Sequence, residues 1–228
     1  MFEFIKNLIV DFIYPPTCPI CHEIMDERNK ICDKCAEDIL KNLDEKFLRM
    51  NYKKNPAPPV DKIFCIANYR EGAREYLLKL KFENDLSVVP VLKNILLSVS
   101  DNAELKKFLS QADIAMFVPA HKKRLQERGF DVNDLIFKDF LSAQNISIEN
   151  LLIRSKNTQK LFELNPDQRK AEMQNAFTAI ENISVVDENI LIADDIYTTG
   201  ATTSSCAEVL KSLGANKIFV LAYSSDGD

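Results

Sequence analysis

Residues 190–203 read Ile190-Leu-Ile-Ala-Asp-Asp-Ile-Tyr-Thr-Thr-Gly-Ala-Thr-Thr203, and this stretch decides the fold. Ile190-Leu-Ile-Ala193 is a continuous apolar run, the pattern of a strand buried on both faces. Two acids follow, Asp194 and Asp195, and then a small, hydroxyl-rich turn, Thr198-Thr-Gly-Ala-Thr202. Residues 202–213 read as a helix, with Cys206, Val209, Leu210 and Leu213 on one side. Gly214 stands where a helix end favours a left-handed residue. Residues 217–223 read as the next strand. Strand, helix and strand make a βαβ unit, which predicts an α/β fold on a parallel sheet with flanking helices.

In such sheets ligands bind beyond the C-terminal ends of the strands. The turn at 198–202 suits a phosphate, because small residues let backbone N–H groups approach and a helix N-terminus adds partial positive charge. Carboxylates do not bind phosphate. Asp194 and Asp195 can instead accept hydrogen bonds from vicinal hydroxyls, or help hold Mg²⁺. Acids beside a phosphate cradle point to a sugar phosphate. The single glycine fits neither the G-x-x-x-x-G-K-[ST] nor the G-x-G-x-x-G spacing, which disfavours an ATPase or a dinucleotide enzyme.

Working outward, strands are expected at 63–69 and 114–118, and a further one at 175–180. Helices are expected at 73–82, 87–99 and 130–143, with Pro90 in a first turn. The strand at 114–118 ends at Pro119 and Ala120, followed by His121, Lys122, Lys123, Arg124 and Arg128, the densest cationic stretch in the chain. A cluster there, beyond a strand end, can receive a pyrophosphate leaving group. Residues 154–168 are polar and carry Arg154, Lys156 and Lys160 with little apolar periodicity. Lys79 and Lys81 lie in the 73–82 helix, where amphipathic helices often carry lysines.

The 228 residues carry a net charge of −5, with 46% hydrophobic and 28% charged residues, enough apolar content for a core and no global basic field for nucleic acid. No apolar run reaches the roughly 18 residues of a spanning helix, so no membrane span is expected. The apolar N-terminus holds Glu3, Lys6 and Asp11 without a basic head, which does not read as a signal peptide. The expected location is the cytoplasm. Four of the six cysteines form two C-x-x-C pairs, Cys18/Cys21 and Cys32/Cys35. Paired knuckles of this kind build a tetrahedral thiolate site for zinc, whereas a redox C-x-x-C usually occurs once. Cys65 and Cys206 read as small buried residues. Residues 2–13 and 36–48 read as helices flanking the cysteines. Asn55-Pro-Ala-Pro-Pro59 reads as a linker, dividing a zinc module at 1–55 from an α/β domain at 56–228. Between Cys18 and Cys35, Arg28, Lys30 and Lys34 face Glu23, Asp26, Glu27 and Asp33, so the module has no basic footprint for DNA.

Asp194-Asp195-Ile-Tyr-Thr-Thr-Gly-Ala-Thr-Thr resembles the signature of type I phosphoribosyltransferases, which bind 5-phosphoribosyl-1-pyrophosphate (PRPP). The resemblance implies that Asp194 and Asp195 hold the ribose hydroxyls and act as the catalytic pair. It gives the 5′-phosphate to Thr198, Thr199, Gly200, Ala201 and Thr202, and it implies Mg²⁺ with PRPP. With the cysteine knuckles, Tyr69-Arg-Glu-Gly-Ala-Arg, Leu78-Lys-Leu-Lys-Phe82, residues 118–130, residues 152–159 and Arg169 with Asn175-Ala-Phe177, the chain is similar to the ComF/ComFC family of competence-linked proteins. Pyrophosphate contacts would then come from Pro119, Ala120, His121, Lys122, Arg124, Arg154 and Lys156, with 154–168 as a hood closing over PRPP. The family's role implies natural transformation, with incoming single-stranded DNA and a helicase-type partner. Asp131 and Val132 stand where the family usually continues Arg-Gly-Phe with Asn-Gln, and Pro119-Ala-His-Lys122 where it usually reads Pro-Leu-His-Pro. A phosphoribosyl transfer, a salvage enzyme and a non-catalytic PRPP sensor or DNA-binding adaptor on the same fold all fit these residues.

Overall fold

The computed structural model describes residues 14–18, 21–26, 32–35, 37, 59–68, 73–156 and 165–225. The expected helix at 2–13 lies outside them, as do most of the 36–48 helix, residues 55–58 of the linker and the centre of the 154–168 stretch.

In chain order the elements are β1 (Lys62–Asn68), α1 (Ala73–Leu78) running into a π-helical turn (Lys79–Glu83), and a 3₁₀ turn (Leu86–Val88) leading into α2 (Val89–Ser98). Next come α3 (Ala103–Leu109), β2 (Ile114–Phe117), α4 (Lys122–Arg128), α5 (Val132–Ala143), β3 (Ser147–Ile148) and β4 (Leu152–Arg154). The chain continues through α6 (Pro166–Met173), β5 (Phe177–Ala179), β6 (Asn189–Tyr197), α7 (Ala201–Ser212) and β7 (Lys217–Ser225). Five strands form one sheet in the order β1-β7-β6-β2-β3, and every neighbouring pair is parallel. β4 and β5 pair antiparallel as a separate ribbon.

The central strands are apolar on both faces because both faces are covered. Phe64, Ile66, Leu191, Ala193, Phe219, Leu221 and Tyr223 pack against α2, α3 and α5. Ile63, Cys65, Ile190, Ile192, Ile218, Val220 and Ala222 pack against α7 and the ribbon. Cys18 and Cys35 belong to the first of these clusters, so the cysteine knuckles pack on the α2–α5 face.

Several elements differ in detail from the sequence expectation. β6 does not stop at Ala193 but runs through both acids to Tyr197. The strand expected at 175–180 is the three-residue β5, which leaves the main sheet for the ribbon. The 73–82 helix widens into a π turn at Lys79 and ends on Asn84 in the left-handed region, at φ 55°. α3 and α4 span seven residues each, too short for apolar periodicity to register. α3 is capped by Asn102, and α4 by His121, whose Nδ1 accepts from the Lys123 N–H at 3.2 Å.

Candidate functional site

Parallel pairing aligns the ends of β2 and β6. Phe117 pairs with Ala193, and the Val118 N–H donates to the Ala193 carbonyl at 3.0 Å. This sets the Pro119–Ala120 turn beside Asp194. Asp194 is buried, and its Oδ1 accepts from the Asp195 N–H at 3.0 Å. Burial, followed by the adjacent Asp195 charge, pushes the Asp194 carboxyl up to about 8, against the pull of Lys81, the Asp195 N–H and Arg154. Lys81 Nζ lies 2.8 Å from Asp195 Oδ2.

Past Tyr197 the chain turns through the cradle into α7. Gly200 sits at φ 75° as the N-cap of α7, a conformation that disfavours side chains. A Cβ there would also lie 2.8 Å from Tyr197 Cζ, so a side chain would have to push the ring aside. The Gly200 carbonyl accepts from the Ser204 N–H at 2.8 Å and from Thr203 Oγ1 at 3.1 Å. The start of the twelve-residue α7 therefore faces a shallow cleft of about 250 Å³, counting the solvent at its mouth. Arg169, Asp194 and residues 196–203 line it. Arg169 Nη1 donates to Thr198 Oγ1 at 3.0 Å. Its helix, α6, is fixed by an Asn165–Gln168 capping box and by Ser205 Oγ donating to the Met173 carbonyl at 2.7 Å.

On the opposite side, burial lowers the Arg154 guanidinium, with Arg124 adding to the effect and Asp194 opposing it. Of the expected pyrophosphate contacts, Arg154 thus lies within electrostatic reach of Asp194, and Arg124 within reach of Arg154. Burial likewise lowers Arg128, against the pull of the Asp195 charge, and Arg128 Nη2 donates to the Lys81 carbonyl at 2.9 Å. Asp131 caps α5 through the Asn133 and Asp134 N–H groups, and burial pushes its carboxyl up despite these bonds. Asn133 Nδ2 donates to the Val118 carbonyl at 3.2 Å, bracing the strand end before the Pro119 turn. Lys122 is exposed in the first turn of α4, and His121 serves as that helix's cap. Lys156 reaches the Glu172 carbonyl at 2.9 Å and its carboxylate at 3.6 Å, on α6.

From sequence alone Lys81 and Arg169 carry no site role, and Arg128 enters only as part of the cationic run. The nearest signals were the lysines of the 73–82 stretch, the cationic run at 121–128 and the family-like Arg169. The structure separates the two lysines: Lys79 pairs with Glu75 on the surface at 2.9 Å, while Lys81 goes to the acids.

Among the described residues, one grouping of metal-type ligands stands out. The sulfurs of Cys18, Cys21, Cys32 and Cys35 all lie within 4.8 Å of one another. Cys21 and Cys32 Sγ are 3.7 Å apart. A tetrahedron with Zn–S bonds of about 2.3 Å has edges of about 3.8 Å, so the spacing fits zinc. The first knuckle is a tight turn: an antiparallel bridge joins Thr17 to Ile24, His22 takes φ 61°, and its N–H donates to the Cys18 carbonyl at 2.9 Å. The Cys32 and Cys35 N–H groups point at thiolate positions, the former at Cys18 Sγ and the latter at Cys32 Sγ.

Fold and site together define a parallel α/β protein with a cleft at the C-terminal end of β6, packed against a four-cysteine module that supports a structural zinc. The double zinc ribbon domain family matches residues 9–47. That stretch contains four cysteines, enough for a single tetrahedral site. Competence protein F of Haemophilus influenzae is 26% identical over 165 residues, covering 72% of each chain. DNA utilization protein YhgH of Escherichia coli is 23% identical over 204 residues, 89% of this chain and 87% of that one. Competence protein ComFC of Bacillus subtilis is 24% identical over 199 residues, 86% of this chain and 72% of that one. Over most of its length the chain is therefore similar to proteins named competence protein F, ComFC and YhgH. Among solved structures, a hypoxanthine phosphoribosyltransferase from Staphylococcus aureus matches with a TM-score of 0.38 and 16% identity, covering 61% of this chain and 68% of that one. So shallow a likeness leaves the fold class resting on the strand order. No helix among the described residues is long and apolar enough to cross a membrane.

Proposed function

We propose that this chain binds PRPP in the cleft at the C-terminal end of β6 and acts in DNA uptake, as the names of its homologues suggest. One observation carries the reading: two adjacent acids lie near the C-terminal end of a parallel strand that turns, through a left-handed glycine, into a helix start facing a cleft. Asp194 and Asp195 would take the ribose hydroxyls, and 198–202 the 5′-phosphate, with Arg169 beside it. Arg124, Arg154 and the Pro119–Ala120 turn would meet the pyrophosphate.

If the chain is a transferase, the reaction is displacement at ribose C1. The bond from C1 to pyrophosphate breaks as an oxocarbenium-like sugar develops, and an acceptor forms the new bond. The protein's part is to hold the sugar and to neutralise the departing charge with Arg124 and Arg154. Mg²⁺ would supply Lewis-acid chemistry when it arrives on the phosphate oxygens. Asp194 is buried and Asp195 is paired, so neither forms a ready-made metal cage. We place the division between zinc module and α/β domain at 55/56, with zinc in a folding role. Single-stranded DNA and a helicase-type protein are the partners proposed for the role in DNA uptake.

Hydrogen exchange tests the cradle. On addition of PRPP with Mg²⁺, the amides of residues 199–203 are expected to slow. Unchanged exchange there at saturating PRPP would refute the reading.

A further inference from the structure

Lys81 holds a position that an ordinary surface lysine does not. Its ammonium lies 2.8 Å from Asp195 Oδ2, and the two side chains are only 20% and 13% exposed. A largely buried ion pair is expensive to desolvate and persists where both partners are held in place. Both are held here. Asp195 is fixed by the pairing of β6 with β7. The Lys81 backbone is fixed from two sides: Leu80 is fully buried beneath the π turn, and Arg128 at the end of α4 clamps the Lys81 carbonyl at 2.9 Å. Single π turns inside helices occur frequently at functional sites, because the extra residue re-aims a side chain. The result is a chain of contacts from the cationic helix, through the π turn, to the acid pair.

The clamp gives the two cations different freedom. The Arg128 fork is committed to a backbone carbonyl. Lys81 presents a point charge on a flexible four-carbon stem, anchored at its backbone and paired at its tip, among the described residues, with Asp195. A ribose diol donating to Asp195 competes for the same carboxylate oxygens. The ammonium can then turn toward an anion on the α4 side without any backbone change.

Resting on the reading of Asp194 and Asp195 as ribose ligands, we propose that Lys81 is a displaceable counter-ion. It pairs with Asp195 in the empty site and moves to the pyrophosphate when a pyrophosphorylated ribose binds, so that the site selects PRPP over ribose 5-phosphate. The step is an exchange of ion pairs. No covalent bond forms or breaks, and no proton need leave the lysine.

The test is calorimetric titration of wild-type protein, Lys81→Met and Lys81→Arg with PRPP and, separately, with ribose 5-phosphate, each with Mg²⁺. The expected result is that Lys81→Met lowers PRPP affinity at least tenfold more than ribose 5-phosphate affinity, and that Lys81→Arg restores much of the preference. A structural lysine would weaken both ligands equally, so equal losses, or no loss, overturn the proposal. Retained ribose 5-phosphate binding shows that the variant is folded. If Lys81→Met binds neither ligand, the PRPP-to-ribose 5-phosphate ratio of Lys81→Arg decides: a preserved preference supports the exchange, and a lost one overturns it. If the wild-type protein binds neither ligand, the PRPP reading itself fails and takes this proposal with it.

Discussion

Arg169 Nη1 donates to Thr198 Oγ1 at 3.0 Å, joining α6 to the first residue of the phosphate-type turn. The guanidinium is thus held beside the cleft before any ligand arrives. A charged hydrogen bond is worth roughly 1.5–3 kcal/mol, or about tenfold to a hundredfold in affinity. Arg169→Ala is expected to weaken PRPP binding within that range, measured by calorimetry, while Arg169→Lys weakens it less. Unchanged affinity in Arg169→Ala would remove the arginine from the site.

Gly200 is expected to be intolerant for two separable reasons, its φ of 75° and the Tyr197 ring against it. Gly200→Ala should destabilise the fold by about 1–3 kcal/mol. Adding Tyr197→Ala should recover the steric part but not the conformational part. Denaturant unfolding of the two single variants and the double variant gives the coupling directly. Simple additivity would show that the ring contact contributes nothing.

The raised Asp194 carboxyl predicts a pH signature. Its folded value of about 8 exceeds the unfolded value of a free aspartate, so the folded state binds more protons between about pH 4 and pH 8. Stability of the ligand-free protein should therefore fall as pH rises through that window. Asp194→Asn, which cannot titrate, should flatten this part of the profile. Melting temperatures of both proteins from pH 5 to pH 8 check the sign. An identical slope in the variant would show that Asp194 does not titrate there.

The four clustered sulfurs predict one zinc per chain under reducing conditions. Metal analysis should find it in the wild-type protein and lose it in Cys18→Ser/Cys35→Ser. Chelation should also raise protease cutting before residue 59, because so small a module relies on its metal to fold. Purified, reduced protein without zinc would contradict the assignment.

The acid pair and its turn were legible in the sequence because their chemistry is local. The strand, both carboxylates, the glycine and the helix start follow one another within residues 190–203. The cysteine knuckles were legible for the same reason. The rest depends on which segments meet. Lys81 reaches Asp195 only because α1 widens into a π turn, and nothing in Leu78-Lys-Leu-Lys-Phe82 signals that widening. Arg169 reaches Thr198 through a helix whose last residue, Met173, is tied to α7 by Ser205. His121 stands at the head of the cationic run in the sequence, and its ring also caps a helix too short to show a period. β5 has strand-like residues, but the choice between sheet and ribbon is made by its partner, β4.

The central claim is that Asp194 and Asp195 form a ribose site for PRPP. Calorimetric titration of PRPP with Mg²⁺ into folded, zinc-loaded protein, beside Asp194→Ala/Asp195→Ala, tests it most directly. The expected result is saturable binding by the wild-type protein and none by the variant, with circular dichroism showing both folded. Equal affinity in the two proteins, or no binding by the wild type, would contradict the account.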